Sequence, residues 1–280
     1  MEERTILHFR TWHILEWKVW IAGTLVLLLL LLLLFSSFWV PYDPYEQHLE
    51  WAKAAPSAAH WFGTDAYGRD LFSRVWVGGK VTVLSALFLL VLISLTGITI
   101  GLCAGWYGGW IGQVLMRGAD LFLSFPGLVL ALALAGVSHG GLWGAILALW
   151  GVSWPKYARL SKNLTLSLMG EQYVEAAQLM KIPAWKILIS HILPNLAGPI
   201  LITAVLDIGM LMMALSALSF LGVGVKPPIP EWGAMMSEGR MFLQLCPWMV
   251  MAPGGAMFIV VVIFNILGDT LRDYYDPKGK

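Results

Sequence analysis

Residues 20–40 read WIAGTLVLLLLLLLLFSSFWV, and this stretch decides which kind of protein the chain is. It contains eight consecutive leucines, Leu27–Leu34, and its apolar run is longer than the roughly 7–15 residues of a signal-peptide core. No small-residue cleavage site follows it. Because about 20 apolar residues cross the hydrocarbon core of a bilayer, we predict an uncleaved membrane-spanning helix here.

The composition of the whole chain also indicates a membrane protein. Of its 280 residues, 58% are hydrophobic and 12% are charged, whereas soluble domains have about 45–50% apolar and about 25% charged residues. The net charge of +1 gives no indication of a nucleic-acid partner. Cys103 and Cys246 lie in apolar stretches, so they predict neither a disulfide nor a thiolate metal site. A soluble enzyme is therefore excluded.

Five further apolar stretches are long enough to cross the bilayer, so the sequence predicts an all-α, polytopic membrane protein with six transmembrane helices. Six spans place both termini on one side. Of the lysines and arginines between spans, twelve fall on that side and six on the other, and cytoplasmic loops carry the excess of these residues. Both termini are thus expected in the cytoplasm. The five stretches are Val81–Trp106, Ile111–Val137, Gly141–Tyr157, Leu196–Val223 and Pro247–Leu267.

The cytoplasmic segment of about residues 156–195 is too long for a simple connection between two helices. Its residues 170–195 read GEQYVEAAQLMKIPAWKILISHILPN, which predicts a short helix stopped by Pro183 and then a second one. One face of the first helix combines Tyr173, Ala176, Ala177 and Met180. Its two alanines allow the backbone of a partner to approach closely. Periodicity alone fits equally well a helix pair that lies flat among lipid headgroups.

Two features of this segment resemble the loop by which permease subunits of ABC importers dock onto their ATPases. They are Glu175-Ala176-Ala177 and the later His191-Ile-Leu-Pro-Asn195. The family usually has glycine where this chain has Lys181, so the turn at this position is expected to differ from that of the family. The resemblance implies that the ATPase-coupling residues are Glu175, Ala176, Ala177, Met180 and Lys181.

Three other stretches are similar to one branch of that family, the permeases for dipeptides, oligopeptides and nickel. They are HWFGTDAYGRDLFSR at 60–74, SFLGVGVKPPIPEWG at 219–233 and NILGDTLRD at 265–273. The resemblance implies a type I ABC importer-like permease fold over residues 60–277. Residues 1–59 then form an N-terminal cytoplasmic segment, the first span and an outer loop, and residues 278–280 form a tail.

The resemblance also implies the partners: a second permease subunit in a heterodimer, two ATP-binding subunits and an extracytoplasmic substrate-binding protein. The phosphate-binding pattern Gly-x-x-x-x-Gly-Lys-[Ser/Thr] does not occur in the chain. We therefore expect no cofactor in this chain and no enzymatic activity of its own, with ATP and Mg²⁺ bound by the ATPase partners. Two more remote alternatives remain, a secondary transporter and a membrane-embedded enzyme. Many secondary transporters contain an internal repeat, and the sequence shows none.

The stretch 60–74, called the outer motif below, predicts a helix capped by Thr64 or Asp65. Its ion pairs would be Asp65–Arg69 and Asp70–Arg74, at four-residue spacing. Such a helix either stabilises itself at the surface or contacts the binding protein. Trp232 is predicted near the outer mouth, either as a membrane-interface anchor or as part of that contact. The candidate contacts are Asp65, Arg69, Asp70, Glu231 and Trp232.

Acidic residues inside spans are candidates for function because burying a charge in hydrocarbon is unfavourable. Asp120 lies near Arg117 and Asp269 near Arg272, so a structural salt bridge explains each of them. Asp207 has no basic residue within reach in its own helix, and it is predicted to face the translocation pathway or a partner helix. The six histidines form no close pair within a span, so no metal site is expected.

The substrate class stays open between nickel and peptides at the level of sequence. The short outer segment 41–59 and the stretch Leu206–Gly209 look more similar to the nickel permeases, which favours nickel, free or chelated. Selectivity in such systems usually resides in the binding protein.

Overall fold

The computed structural model describes residues 2–138 and 140–275, with side chains from Trp17 onward. Helices dominate this part of the chain, and no strand occurs in it beyond an isolated bridge between Thr64 and Asp70. The all-α prediction is confirmed. The predictions for His139 and for the tail 278–280 lie outside the described residues. The helices are α1 (Glu2–Leu34), α2 (Ser36–Trp39), α3 (Leu71–Tyr107), α4 (Gly109–Leu123), α5 (Gly127–Val137), α6 (Gly141–Met169), α7 (Gln172–Leu179), α8 (Ala184–Ile187), α9 (Leu193–Phe220), α10 (Trp232–Gly239) and α11 (Trp248–Tyr275).

Four helical segments in the described residues are long and apolar enough to cross a membrane. They are the part of α1 from Trp17 to Leu34, the whole of α3, the continuous segment α8–α9 and the whole of α11. The bent pair α4–α5 makes a fifth if it is counted as one span. Helix α6 has 29 residues but is not among them. Its C-terminal half carries Lys156, Arg159 and Lys162. The count of six spans therefore stays a prediction.

The predicted third span, Ile111–Val137, is not one straight helix. It is broken between Leu123 and Gly127, and α4 and α5 meet at an angle of 88°. Pro126 explains the break, because proline lacks an amide hydrogen and disfavours the helical conformation of the residue before it. The predicted span is present only if the bent pair is counted as one.

Helices α3 and α6 form the most extensive helix pair. Gly97, Gly101 and Gly105 share one face of α3, and a Cβ atom on any of them would collide with α6. A Cβ on Gly101, for example, would lie 2.6 Å from the Cβ of Ser161. Small residues at four-residue spacing let two membrane helices approach closely, so van der Waals contacts hold the pair together.

Helix α9 is central and α1 is peripheral. Half of the most apolar stretch of α9 is buried within the protein, against 17% of the corresponding stretch of α1. Helix α9 packs against α3, α6, α10 and α11, whereas α1 packs chiefly against α11.

Candidate functional site

Helix α7, in the segment predicted to be cytoplasmic, ends in a Schellman motif. The amide of Ile182 donates to the carbonyl of Ala177 at 3.2 Å, and the amide of Lys181 donates to that of Gln178 at 2.9 Å. This motif requires a left-handed backbone conformation at the residue just after the C-cap, which is usually glycine. Lys181 takes that conformation, with φ of 54°. The turn is thus retained with lysine in the place of glycine, and Pro183 serves instead to begin α8.

The predicted contact face of α7 is divided between two environments. Val174 and Ala177 are buried against the rest of the chain, whereas Tyr173, Ala176 and Met180 are exposed. Glu175 and Lys181 are exposed as well. Ala177 therefore packs inward, and the surface open to a partner is formed by the other four predicted coupling residues: Glu175, Ala176, Met180 and Lys181.

Large apolar side chains extend this surface onto the next helical turns. Leu179 is 83% exposed, Met180 75% and Trp185 64%. Single exposed apolar residues are common on protein surfaces. A group of large exposed apolar side chains, in contrast, indicates a contact with another protein or with a membrane.

Asp207 is paired within the chain. Its two carboxylate oxygens lie 2.6 and 2.8 Å from Nζ of Lys156, and the hydroxyl of Tyr157 donates to it at 3.1 Å. Lys156 and Tyr157 belong to α6, so this ion pair joins α6 to α9. Lys156 lies on a different helix from Asp207, so periodicity within one helix gives no sign of this partner.

Asp120 also pairs with α6 rather than with its predicted neighbour Arg117. Its Oδ1 lies 2.6 Å from a guanidinium nitrogen of Arg159, and both side chains are about half exposed. Two acids from α4 and α9 thus meet two cations three residues apart on α6.

The outer motif does not form the predicted helix. Residues 61–70 lie in turns, and α3 begins at Leu71 with Asp70, not Thr64 or Asp65, as its N-cap. Asp70 accepts from the amide of Ser73 at 2.8 Å and lies 2.9 Å from Nδ1 of His60. These contacts occupy both of its oxygens, which explains why the predicted Asp70–Arg74 pair is absent among the described contacts.

The predicted Asp65–Arg69 pair does form, at 2.6 Å, and belongs to a larger buried network. Arg69 also lies 2.9 Å from Glu238 of α10, and Arg74 lies 3.4 Å from Asp65 and 3.7 Å from Glu238. Both arginines are at most 2% exposed. Two cations and two acids therefore connect the outer loop to the start of α3 and to α10.

Glu231 and Trp232 connect helices in the same region. Glu231 caps α10 through the amide of Ala234 at 2.9 Å and accepts from Ser216 at 2.7 Å and from Thr82 at 3.1 Å. The indole of Trp232 donates to the carbonyl of Val75 at 2.8 Å, and the residue is 1% exposed. Burial inside the protein means that Trp232 is not a membrane-interface anchor. None of the five predicted outer contacts is more than 3% exposed.

A cavity of about 590 Å³ lies between α1, α3, α11 and the outer loop. Its walls are apolar, with Trp61, Trp76 and Trp248 among them, and they include no ionisable side chain. Among residues 2–138 and 140–275, no three His, Cys, Asp or Glu side chains converge on a possible metal position.

The structure reveals functional candidates that sequence reasoning missed: Lys156, Tyr157, Arg159 and Glu238. The basic residues of α6 were taken as loop residues of the cytoplasmic side. A helix that continues to Met169 places Lys156 beside the membrane-embedded Asp207 instead. A search for cations in neighbouring spans would have found it.

Comparisons with known proteins agree with this geometry. The family described as "Binding-protein-dependent transport system inner membrane component" matches residues 97–280. A glutathione transport system permease protein, GsiD, of Pectobacterium atrosepticum is 39% identical over 92% of this chain and 86% of its own length. The dipeptide permease DppC of Alkalihalophilus pseudofirmus is 40% identical over 80% and 74%. The nickel permease NikC of Escherichia coli K12 is 38% identical over 93% and 94%.

A solved structure shares the fold at low sequence identity. A chain of the MetNI methionine ABC transporter, in an inward-facing conformation, is 17% identical with a TM-score of 0.59. The match covers 73% of this chain and 97% of the other. The chain therefore belongs to the binding-protein-dependent transport system inner membrane component family, in the branch of ABC importer permeases that contains these peptide and nickel relatives.

Proposed function

We propose that this chain forms half of the translocation pathway of an ATP-driven importer, beside a second and similar permease subunit. Two ATP-hydrolysing subunits dock on its cytoplasmic side and bind the ATP and Mg²⁺. A substrate-binding protein delivers the solute from the opposite side of the cell membrane. Both termini are in the cytoplasm, as the distribution of lysine and arginine favours.

The observation that carries this proposal is the exposed apolar surface of α7 and α8. Leu179, Met180 and Trp185 stand out from a helix pair whose inner side, at Val174 and Ala177, is fixed against the chain. Apolar side chains on a rigid support, with the exposed Ala176 four residues before Met180, suit a groove on a partner. The family membership favours an ATPase as this partner over lipid headgroups.

The test is to place a bulky charge at Ala176. Ala176→Arg should prevent co-isolation of the ATP-hydrolysing subunits with the permease, because the side chain is exposed and only the docked complex has no room for it. Ala176→Ser is the matched control and should leave co-isolation intact. Ala177→Arg is unsuitable, since Ala177 is buried against its own chain and the variant would misfold.

A result with normal ATPase capture and normal transport by Ala176→Arg would contradict the docking surface. Normal capture with impaired transport would favour the headgroup alternative instead, because an added cation is compatible with a helix pair that lies among anionic headgroups.

On the outer side, the binding protein is proposed to contact the surface of the 41–70 segment rather than its buried ionic network. Trp61 and Tyr67 are exposed there, 61% and 47% respectively. Asp65, Arg69, Asp70, Glu231 and Trp232 then act from beneath this surface, by holding the loop and α10 in position.

The solute is proposed to be a small peptide or a chelated metal. The relatives divide between glutathione, dipeptide and nickel permeases at nearly equal identity, so similarity does not favour the nickel that the sequence stretches suggested. Measuring which solute the associated binding protein holds would separate these classes.

A further inference from the structure

We propose that Lys156 is a substrate-contacting residue of the translocation pathway and selects solutes that carry a carboxylate. This proposal rests on the proposed function and deepens it, since it names the chemical class of the solute. Asp207, the acid predicted from the sequence to face the pathway or a partner helix, acts as the internal counterion of Lys156.

The two partners of this ion pair differ in exposure. The side chain of Asp207 is 12% exposed, whereas that of Lys156 is 52% exposed. Asp207 is held on both oxygens by Lys156 and on one of them also by Tyr157. The charge that reaches the open side of α6 is therefore the ammonium group, and the carboxylate lies behind it.

The open side of α6 at this level is polar. Arg159 lies three residues after Lys156 and is 51% exposed, and Asn163, four residues further, is exposed as well. Residues three and four positions apart share one helix face. Exposed charges on membrane helices face water-filled cavities rather than lipid, because their transfer into hydrocarbon is unfavourable. This face of α6 is accordingly the side on which a hydrated solute passes.

An exposed ammonium group binds carboxylates and repels divalent cations. Asp207 binds the ammonium from its buried side, and the exposed side of the ammonium stays open to a solute carboxylate. A passing carboxylate can therefore bind Lys156 while Asp207 keeps its contacts, so that neither charge loses its partner. A bare divalent metal ion would gain nothing at this position, whereas a chelate that presents carboxylate oxygens would.

The experiment uses the complete importer, with both permeases, the ATPases and the binding protein, reconstituted in liposomes. Uptake is measured for three probes: a labelled dipeptide with a free carboxyl terminus, glutathione and NiCl₂. ATP hydrolysis stimulated by the binding protein and the yield of assembled complex are measured in parallel. Lys156→Met alone would leave Asp207 buried without a partner and risk misfolding, so the test variant is Lys156→Met with Asp207→Asn.

The neutral double variant should assemble normally and retain stimulated ATP hydrolysis, yet lose about tenfold in uptake of the carboxylate solute, because a charge-assisted hydrogen bond is lost. Lys156→Arg should keep uptake. The exchanged pair, Lys156→Asp with Asp207→Lys, should restore the link between α6 and α9 but not the uptake, since the exposed group is then an acid.

Wild-type uptake by the neutral double variant would overturn the proposal, as would full rescue by the exchanged pair, which would indicate a purely structural ion pair. Uptake of NiCl₂ alone by the unaltered importer would overturn the carboxylate class. ATP-dependent uptake of none of the three probes by the unaltered importer would instead count against the proposed function.

Discussion

At the scale of single residues, two lysines take a backbone conformation that favours glycine. Lys53 has φ of 60° and Lys181 has φ of 54°. The ammonium of Lys53 lies 4.0 Å from the ring centroid of Phe242, and this cation–π contact offsets the unfavourable conformation. Lys181 is exposed, and no ion pair joins it to any other residue that the structure describes. Its conformation is imposed by the end of α7.

We predict that Lys181→Gly stabilises the end of α7 by about 1 kcal/mol, because glycine has no steric penalty at positive φ. The amide of Ile182, which donates to Ala177, should then exchange its hydrogen about fivefold more slowly. Hydrogen–deuterium exchange of the purified subunit measures this effect.

The control is Lys181→Ala, which removes the same charge but keeps a Cβ atom. It should show no slower exchange than the wild type, since alanine is also strained at this φ. Equal protection in both variants would mean that charge, and not conformation, governs the turn.

At the scale of elements, the packing of α3 on α6 decides where the functional side chains lie. The glycine face of α3 contacts α6 at Tyr157, Ala158 and Ser161. This contact fixes the rotation of α6 about its axis and so directs Lys156 toward Asp207 of α9. The glycines at four-residue spacing are visible in the sequence, but the helix they contact is not.

We expect Gly101→Ala to destabilise the protein by about 1–3 kcal/mol, the usual effect of overpacking. The added methyl group would lie 2.6 Å from the Cβ of Ser161, and both helices would have to separate. Thermal unfolding of the detergent-solubilised subunit should therefore occur at a lower temperature.

Gly118→Ala on α4 serves as the matched control, because a Cβ atom there meets nothing within 4 Å. Its unfolding temperature should stay unchanged or rise slightly, as alanine is the better helix former. A comparable loss in both variants would show that helix propensity, rather than the α3–α6 contact, determines the result.

At the scale of the whole molecule, the charged groups form two layers that differ in their burial. On the outer side, Arg69 and Arg74 are buried with Asp65 and Glu238, which links the loop before α3 to α10. The ion pairs of α6 with Asp207 and Asp120 are partly exposed. The outer layer is therefore structural, whereas the cations of the α6 pairs are accessible to solvent.

Removing one acid of the outer layer should be strongly destabilising. Glu238→Gln leaves Arg69 short of one partner and is expected to lower the free energy of unfolding by about 3 kcal/mol. Glu46→Gln is the comparison, since its contact with His48 is 3.3 Å long and Glu46 is 63% exposed; a change below about 1 kcal/mol is expected. Urea unfolding curves that shift equally for both variants would refute the distinction.

The proposed orientation can be tested with single cysteines in a variant in which Cys103 and Cys246 are replaced by alanine. Lys226→Cys should react with a membrane-impermeant maleimide in intact cells, and Lys186→Cys should react only after the cells are opened. Both lysines are exposed, so access rather than burial decides the labelling. Labelling of Lys186→Cys from outside would invert the orientation.

The membrane location, the all-α class, the family and the position of α7 follow from the amino-acid sequence alone. These properties depend on composition and on patterns within a continuous stretch of chain, such as Leu27–Leu34 or Glu175–Ala177. The break at Pro126 also has a signal in the sequence, although the angle of 88° does not. Burial does not follow from motif similarity: Asp65, Arg69, Asp70, Glu231 and Trp232 were expected at a surface that contacts another protein, whereas the structure buries all five.

Only the tertiary structure decided which charges meet. Lys156 and Asp207 are 51 residues apart in the chain, and Arg69 and Glu238 are 169 apart. Helical periodicity relates residues three or four positions apart, whereas the contacts between helices depend on how each one is rotated and packed. The glycine face of α3 sets that rotation for α6, and it brings Lys156, rather than any neighbour in sequence, to Asp207.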